Sequence, residues 1–160
     1  MNNSVQSDYI DQFPPKVALG MLLTEKAKRM AENRLKYYSP YPKQVDFHTA
    51  GSDPAIRERL LIAGNQCGKT IAGSFEAAMH LTGIYPDWWK GAEFDAPTSA
   101  WGASETSQGT RDTVQRLLLG KVGEWGTGAI PASKILEIKR STHGVADAVE
   151  TILVQHVNGG

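Results

Sequence analysis

Apolar and polar residues follow one another along this chain with two different periods, which predict helices and short strands. Helical spacing covers about 17–37, 69–82 and 104–119, and shorter helices are expected within 43–49 and 132–139. Strands are predicted over 58–63, 98–103 and 148–157, the first of them buried because it is apolar. Because strands alternate with helices, the expected fold is α/β, with three layers (α/β/α) around a mainly parallel sheet.

Two of these helices have patterns clear enough to predict a buried side and both ends. In the helix over 69–82, Gly83 is expected just after the last turn, and the buried stripe consists of Ile71, Phe75, Ala78 and Met79. In the helix over 104–119, Ser104 or Thr106 is expected to cap the start and Gly120 to end it. Its predicted buried side consists of Val114, Leu117 and Leu118.

The two ends of the chain differ from its middle. Residues 1–15 are polar, end in two prolines and are predicted to be disordered. The last predicted strand runs into Asn158-Gly159-Gly160, a hairpin-type turn with no strand after it. We therefore expect a disordered segment over 1–15 and a single partial domain over 16–160 that is truncated at its C-terminus.

Composition excludes several classes of protein. The 160 residues are 41% hydrophobic and 21% charged, as in ordinary globular domains, and 17 basic residues balance 17 acidic ones. A net charge of zero gives no argument for nucleic-acid binding. The single cysteine excludes an internal disulfide and a cysteine-rich zinc site. Without a signal peptide or a membrane-length apolar run, a cytoplasmic protein is expected, with no membrane partner.

The most informative motif is the segment over 63–70, Ala-Gly-Asn-Gln-Cys-Gly-Lys-Thr, which directly follows an apolar run. A strand, a glycine-containing loop, Gly-Lys-Thr and a helix form, in that order, a phosphate-binding P-loop. Its backbone N–H groups and the helix N-terminus bind phosphate oxygens, and a lysine reaches the β- and γ-phosphates as the catalytic charge. The predicted nucleotide-binding residues are Gly64, Asn65, Gln66, Cys67, Gly68, Lys69 and Thr70.

One position of this motif departs from the usual pattern, and an alternative interpretation stays open. The first motif position, usually glycine, is Ala63, which fits the loop if its φ stays negative. The Thr70 hydroxyl is the predicted Mg²⁺ ligand. The alternative is a glycine-rich turn between a strand and a helix in which Lys69 is merely solvated. In the P-loop interpretation, Cys67 occupies a position where the backbone, not the side chain, contacts phosphate.

A complete P-loop ATPase also needs a second acidic motif, and the sequence does not contain one. That motif consists of several apolar residues ending in an Asp that anchors Mg²⁺, often followed by a Glu that activates water. No run of four apolar residues in the chain is followed by Asp or Glu. Little or no ATP turnover is therefore expected from these 160 residues alone, and whether the chain is an enzyme stays open.

The residues around the P-loop resemble the ATPase domain of bacteriophage large terminase subunits. Gly-Asn-Gln before Gly-Lys-Thr is similar to the terminase form of this loop, which is also called Walker A. Further similar segments are Ala100-Trp101-Gly102, Thr110–Gly120 and Gly126–Pro131. Upstream, Tyr41-Pro42-Lys43-Gln44 resembles an adenine motif that combines an aromatic residue with a glutamine.

The chemistry of that upstream motif fits adenine. The amide of Gln44 can donate and accept hydrogen bonds, as adenine N7 and the exocyclic amine require. The ring of Tyr41 can stack on the base. The motif, placed at 41–47, therefore predicts that Tyr41 and Gln44 bind the base. The alternative is that Tyr41-Pro42 is a turn and Gln44 is solvated.

The resemblance implies a function for the whole protein of which this chain would be a part. That function is a motor that couples ATP hydrolysis to packaging of double-stranded DNA, with ATP and Mg²⁺ as cofactors. The implied partners are double-stranded DNA, a small terminase subunit, a portal protein and further copies in a ring, in the cytoplasm of a bacterial host. Two alternatives stay open, namely a helicase-like P-loop ATPase and a truncated nucleotide-binding fragment without turnover.

Other candidate residues receive structural interpretations. Arg111 and Arg116 could supply an arginine finger, but pairing with a carboxylate is the commoner role of an arginine on a helix. Trp88-Trp89 is expected to pack under a loop rather than stack on bases. The four scattered histidines, without clustered carboxylates or cysteines, are not expected to bind metal.

Overall fold

The computed structural model describes residues 12–159, in which helices are the dominant elements. Four helical elements are named here, α1 (Pro15–Glu32), α2 (Pro42–Thr49), α3 (Lys69–Thr82) and α4, which joins Ser107–Gly109, π-helical Thr110–Gln115 and Arg116–Leu119. Short 3₁₀ turns occupy Arg34–Tyr37, Ala50–Ser52 and Ala132–Lys134, and the strands are β1 (Ile135–Arg140) and β2 (Val149–Val154). The predicted disorder over 1–15 falls mostly outside the described residues, and it is wrong at Pro15, where α1 begins.

Helix α1 is shorter than the predicted helix over 17–37. Asn33 leaves the helical conformation at φ −143°, and its side-chain oxygen accepts a hydrogen bond from the N–H of Lys36 at 3.2 Å. A side chain that competes for backbone N–H groups in this way ends the helix and starts the 3₁₀ turn. None of the residues of α1 is buried, so the helix does not contribute to the core.

Helix α3 has the predicted bounds and forms the centre of the core. Three residues of its predicted stripe are buried, Phe75, Ala78 and Met79. The prediction is wrong for Ile71, which lies on the first turn and is 39% exposed because no other part of the described chain covers it. The core cluster also includes Leu35, Trp89, Leu119 and Ile130.

Helix α4 begins and ends where the sequence predicts. The Thr106 hydroxyl accepts the N–H of Gly109 at 3.0 Å, and Gly120 follows the last residue at φ 101°. The buried side is different, however, since Gln115 and Leu119 are buried whereas the predicted Val114, Leu117 and Leu118 are only partly covered. A π-helical turn holds one extra residue, which rotates the following side chains away from the α-helical stripe.

The two strands predicted near the P-loop are not strands in this structure. Segments 58–63 and 98–103 pair with no other described segment. The prediction that the first is buried is also wrong, because Leu60 and Ile62 are 83% and 82% exposed. Trp101, in the second segment, is 99% exposed. A parallel sheet around the P-loop therefore stays a prediction.

The sheet among the described residues has two antiparallel strands. Strand β2 lies within the predicted strand over 148–157 and pairs with β1, for example Ile138 with Ile152. The helix predicted within 132–139 is wrong beyond its first turn, since β1 begins at Ile135. The partner of this last strand therefore precedes it in the chain, and no described strand follows it. Both strands pack isoleucines against the core.

Gly83 follows the last residue of α3 and lies against the segment after β2. We expect Gly83→Ala to destabilise the protein. Its φ of 69° is unfavourable for residues with a Cβ, and a Cβ there would lie 2.4 Å from His156 Nε2. The expected loss in free energy of unfolding is about 1–3 kcal/mol. Urea denaturation measures it.

A matched control is available in the same helix. Nothing lies within 4 Å of a Cβ built on Gly73, so Gly73→Ala should stabilise α3 by about 0.5–1 kcal/mol. Equal effects of the two substitutions would contradict the role assigned to Gly83.

Candidate nucleotide-binding site

The loop before α3 has a tightly turned backbone. Residues 65–68 form turns, and α3 begins at Lys69, as the motif predicts. Gln66 and Gly68 have left-handed φ angles of 62° and 75°. Left-handed residues in such a loop turn successive N–H groups towards one concave side, where an anion can accept them. Glycine suits position 68, because a residue with a Cβ is strained at this φ and its Cβ would lie 2.7 Å from Gln44 Nε2, which would have to shift.

The side chain of Lys69 folds back over this loop. Its Nζ donates hydrogen bonds to the carbonyl oxygens of Ala63 at 2.6 Å and Gly64 at 2.7 Å. Lys69 is therefore bonded to the loop, whereas its contact with phosphate stays a prediction. Thr70 is exposed on the first turn of α3, and Cys67 has an exposed free thiol. In P-loop proteins the ammonium group of this lysine reaches the β- and γ-phosphates.

The structure places Gln44 against the loop before α3. Gln44 is only 5% exposed, and its Nε2 donates to the Gly68 carbonyl oxygen at 3.0 Å. Its Oε1 accepts the N–H of Tyr41 at 2.8 Å, which stabilises the first turn of α2. The alternative of a solvated Gln44 is therefore wrong. One amide hydrogen and one lone pair remain for a further partner. Tyr41, three residues before Gln44, is 68% exposed.

A buried polar cluster behind the loop was missed by the sequence analysis. Its centre is Glu76 on α3, which is 6% exposed. Glu76 Oε2 accepts a hydrogen bond from His48 Nδ1 at 2.6 Å, and Oε1 accepts from Arg59 and from His80 Nε2, the latter at 3.4 Å. Because a carboxylate only accepts, His48 carries its proton on Nδ1, and His48 Nε2 can accept from the Tyr38 hydroxyl at 3.2 Å. We call these residues the Glu76 cluster: Tyr38, His48, Arg59, Glu76 and His80.

One signal could have found this cluster. Glu76 lies three residues before Met79, so it borders the stripe that the pattern predicts to be buried. A carboxylate at a buried position requires partners, because an unpaired buried charge is very costly. The pattern does not say which partners, since His48 and Arg59 lie on other segments.

Comparison with known proteins places the chain in a family. Residues 60–154, which include the predicted P-loop, match the family described as the terminase large subunit, T4likevirus-type, N-terminal. The chain belongs to this family. The large terminase subunit of Salmonella phage P22 is 36% identical to it over 150 residues, which cover 84% of this chain and 30% of that relative. The chain thus spans about a third of the length of this curated relative. No solved structure matches the chain.

The remaining sequence candidates of this terminase large-subunit chain have structural roles. Arg111 Nε donates to Asp112 at 2.8 Å and Arg111 Nη1 to the Ala146 carbonyl oxygen at 3.0 Å, so its expected carboxylate pairing is confirmed. Trp89 is buried, as expected, and its Nε1 donates to the Ala92 carbonyl oxygen at 3.0 Å. Within 12–159, no group of three or more His, Cys, Asp or Glu residues could hold a metal ion. Across the same residues, none of the helices is long and apolar enough to cross a membrane.

The Glu76 cluster shifts the acidity of two of its members. Burial by itself would raise the pKa of Glu76, but hydrogen bonds from His48, His80 and Arg59, with the charge of Arg59, hold it well below its usual value. Burial, and then the nearby carboxylate of Glu76, raise the pKa of Tyr38 to about 12. Glu76 is therefore ionised, and Tyr38 keeps its proton, over the whole range in which the protein would work.

The lowered pKa of Glu76 makes stability depend on acid in a predictable direction. A carboxylate whose pKa is lower in the folded state stabilises the protein fully above its unfolded pKa of about 4.3, and the effect is lost as pH falls below that value. We expect the chain to lose more stability between about pH 5 and 3 than Glu76→Gln does. Urea unfolding at several pH values measures this. Parallel curves for the two proteins would contradict it.

Proposed function

We propose that residues 41–83 form an ATP site that belongs to the ATPase part of a DNA-packaging motor. The observation that carries the proposal is the convergence of Gln44 and Lys69 on one loop, Gln44 through Gly68 and Lys69 through Ala63 and Gly64. The loop N–H groups and Lys69 bind the β- and γ-phosphates, and Thr70 ligates Mg²⁺. Tyr41 and Gln44 bind the adenine.

Family membership supports the wider part of the proposal. Because the chain belongs to the terminase large-subunit family, the helicase-like alternative is no longer favoured. In the proposed function, hydrolysis at this site moves double-stranded DNA, and the site works with a small terminase subunit, a portal protein and further copies in a ring. The nucleotide-binding chain without turnover stays a second candidate, because no run of four apolar residues in the sequence is followed by Asp or Glu.

The proposed fold around the site is the three-layer α/β/α arrangement of P-loop proteins. Exposed Leu60, Ile62 and Trp101 support it, because apolar side chains on segments that flank a P-loop helix are suited to a sheet covered on both faces. In this proposal, 58–63 and 98–103 become parallel strands when further strands pair with them.

Titration calorimetry of the 160-residue chain with ATP in the presence of Mg²⁺ tests the ATP site. We expect one ATP per chain, weaker binding without Mg²⁺, and tighter binding of ATP than of GTP. A folded chain that binds none of these nucleotides would refute the proposal.

We expect Gln44→Ala to weaken ATP binding and to reduce the preference for ATP over GTP. The lost hydrogen bonds correspond to about 1–3 kcal/mol of binding free energy. Tyr41→Ala should weaken ATP and GTP alike, because stacking does not distinguish the two bases. Competition titrations with both nucleotides measure the ratio.

Gln115→Ala is a matched control for Gln44→Ala. Gln115 is also a buried glutamine whose amide forms two hydrogen bonds with the backbone. Its Nε2 donates to the Asp147 carbonyl oxygen and its Oε1 accepts the N–H of Val149, the first residue of β2. Gln115→Ala should lower the free energy of unfolding without changing the ratio of ATP to GTP affinity. The adenine role would be refuted by a ratio in Gln44→Ala identical to that of the unchanged chain.

A further inference from the structure

The Glu76 carboxylate joins three segments that all lead to the proposed nucleotide site. It accepts hydrogen bonds from His48 on α2, from Arg59 just before the P-loop, and from His80 one turn further along α3. Buried ion pairs of this kind are costly to form, and replacing them with apolar residues is often neutral or stabilising. A buried charge with partners on separate segments therefore calls for a role besides stability.

The contacts of α2 show what this role is. Helix α2 contacts α3 at two points, through Gln44 to Gly68 at 3.0 Å and through His48 to Glu76 at 2.6 Å. Gln44 and His48 are four residues apart, so they lie on the same face of α2. The second contact therefore fixes the angle at which α2 presents Gln44.

Arg59 adds a third connection. Its Nη1 donates to the Phe47 carbonyl oxygen at 2.7 Å, and its guanidinium carbon lies 4.7 Å from the centre of the Phe47 ring. Arg59 thus holds the end of α2 and the carboxylate of Glu76 together. It precedes by four residues Ala63, whose carbonyl oxygen accepts a hydrogen bond from Lys69.

We propose that Glu76 is a positioning residue that sets selectivity for adenine by holding α2, and with it Gln44, in register on α3. The inference rests on the proposed ATP site and deepens it. Glu76 itself need not touch nucleotide. Because the phosphate contacts come from the loop backbone and from Lys69, loosening α2 weakens recognition of the base and leaves recognition of the phosphates unchanged.

Glu76→Gln in the full 160-residue chain tests this, with calorimetric titration of ATP, GTP and inorganic tripolyphosphate, each with Mg²⁺. Glutamine keeps the size of the side chain and removes its charge. We expect the ATP/GTP preference to fall about fivefold, the effect of about 1 kcal/mol, and tripolyphosphate affinity to stay within about twofold. Combining Glu76→Gln with Gln44→Ala should reduce the preference no further than Gln44→Ala alone, since both act through the same amide.

Substitutions of His48 provide a second test that leaves the carboxylate in place. His48→Asn keeps a side-chain donor near the position of Nδ1, whereas His48→Leu removes it. We expect His48→Leu to reduce the ATP/GTP preference and His48→Asn to restore most of it, both with unchanged tripolyphosphate affinity. Circular dichroism identifies the folded variants, and the asparagine variant serves as the folded reference if Glu76→Gln does not fold.

Three outcomes separate this inference from others. Folded Glu76→Gln or His48→Leu with an unchanged ATP/GTP ratio would overturn it. Equal weakening of ATP, GTP and tripolyphosphate would assign the cluster a general structural role and would also overturn it. If the unchanged chain binds no nucleotide, or if Lys69→Ala has no effect on binding, the proposed ATP site itself fails.

Discussion

Lys69→Ala is expected to abolish measurable nucleotide binding while the chain stays folded. The lysine is the one side chain of the loop that supplies a full positive charge, and in the structure its Nζ lies at the loop carbonyls of Ala63 and Gly64. Loss of a charge-assisted contact to phosphate costs about 1.5–3 kcal/mol, which weakens binding about 10- to 150-fold. Titration with a fluorescent ATP analogue measures this.

The fold should tolerate Lys69→Ala. The carbonyl oxygens of Ala63 and Gly64 belong to exposed residues, so water can replace the lysine, and alanine is a good helix former at the start of α3. Lys90→Ala is the control, because Lys90 is an exposed lysine in the loop after Trp89. Equal affinity of both variants for the analogue would remove the basis of the P-loop interpretation.

Glu76→Ala is expected to have the largest effect on stability. Removing the carboxylate leaves His48 buried without its acceptor at 2.6 Å and leaves Arg59 without its carboxylate partner. Breaking a buried ion pair by removing one partner costs about 3–5 kcal/mol, because the remaining group stays desolvated. Since small domains are stable by only about 5–15 kcal/mol, this loss should lower the urea midpoint sharply.

The control for Glu76→Ala is Glu105→Ala, which removes an exposed carboxylate before α4. Its effect should stay within about 0.5 kcal/mol, as is usual at the surface. The double variant Glu76→Ala with His48→Leu should be less destabilised than the sum of its parts, because the orphaned donor is removed together with its acceptor. A small effect of Glu76→Ala alone would show that the hydrogen bonds of the Glu76 cluster are not formed in solution.

Local signals predicted the elements that the structure confirms. The bounds of α3 and its end at Gly83, the Thr106 cap of α4 and its end at Gly120, and the position of β2 all depend on residues close together in the sequence. The family was also evident from short motifs, and the comparisons confirm it.

Predictions that required knowledge of neighbours were less successful. Segment 58–63 is apolar enough to be a buried strand, yet a strand needs another strand to pair with, and no described segment supplies one. The start of β1 was interpreted as helix because short apolar runs fit either period. The prediction of the buried side of α4 is wrong because no local sequence signal indicates the π-helical turn.

By itself, the sequence determined the Gly-Lys-Thr motif, the helix that follows it and the family, because each is set by residues adjacent in the chain. Only the tertiary structure decided what surrounds the motif. Gln44 contacts Gly68 across 24 residues of sequence, and Glu76 is paired with His48 across 28 and with Arg59 across 17. No local pattern encodes these pairings, since they arise when the packing of α2 on α3 excludes water and buried polar groups must find partners.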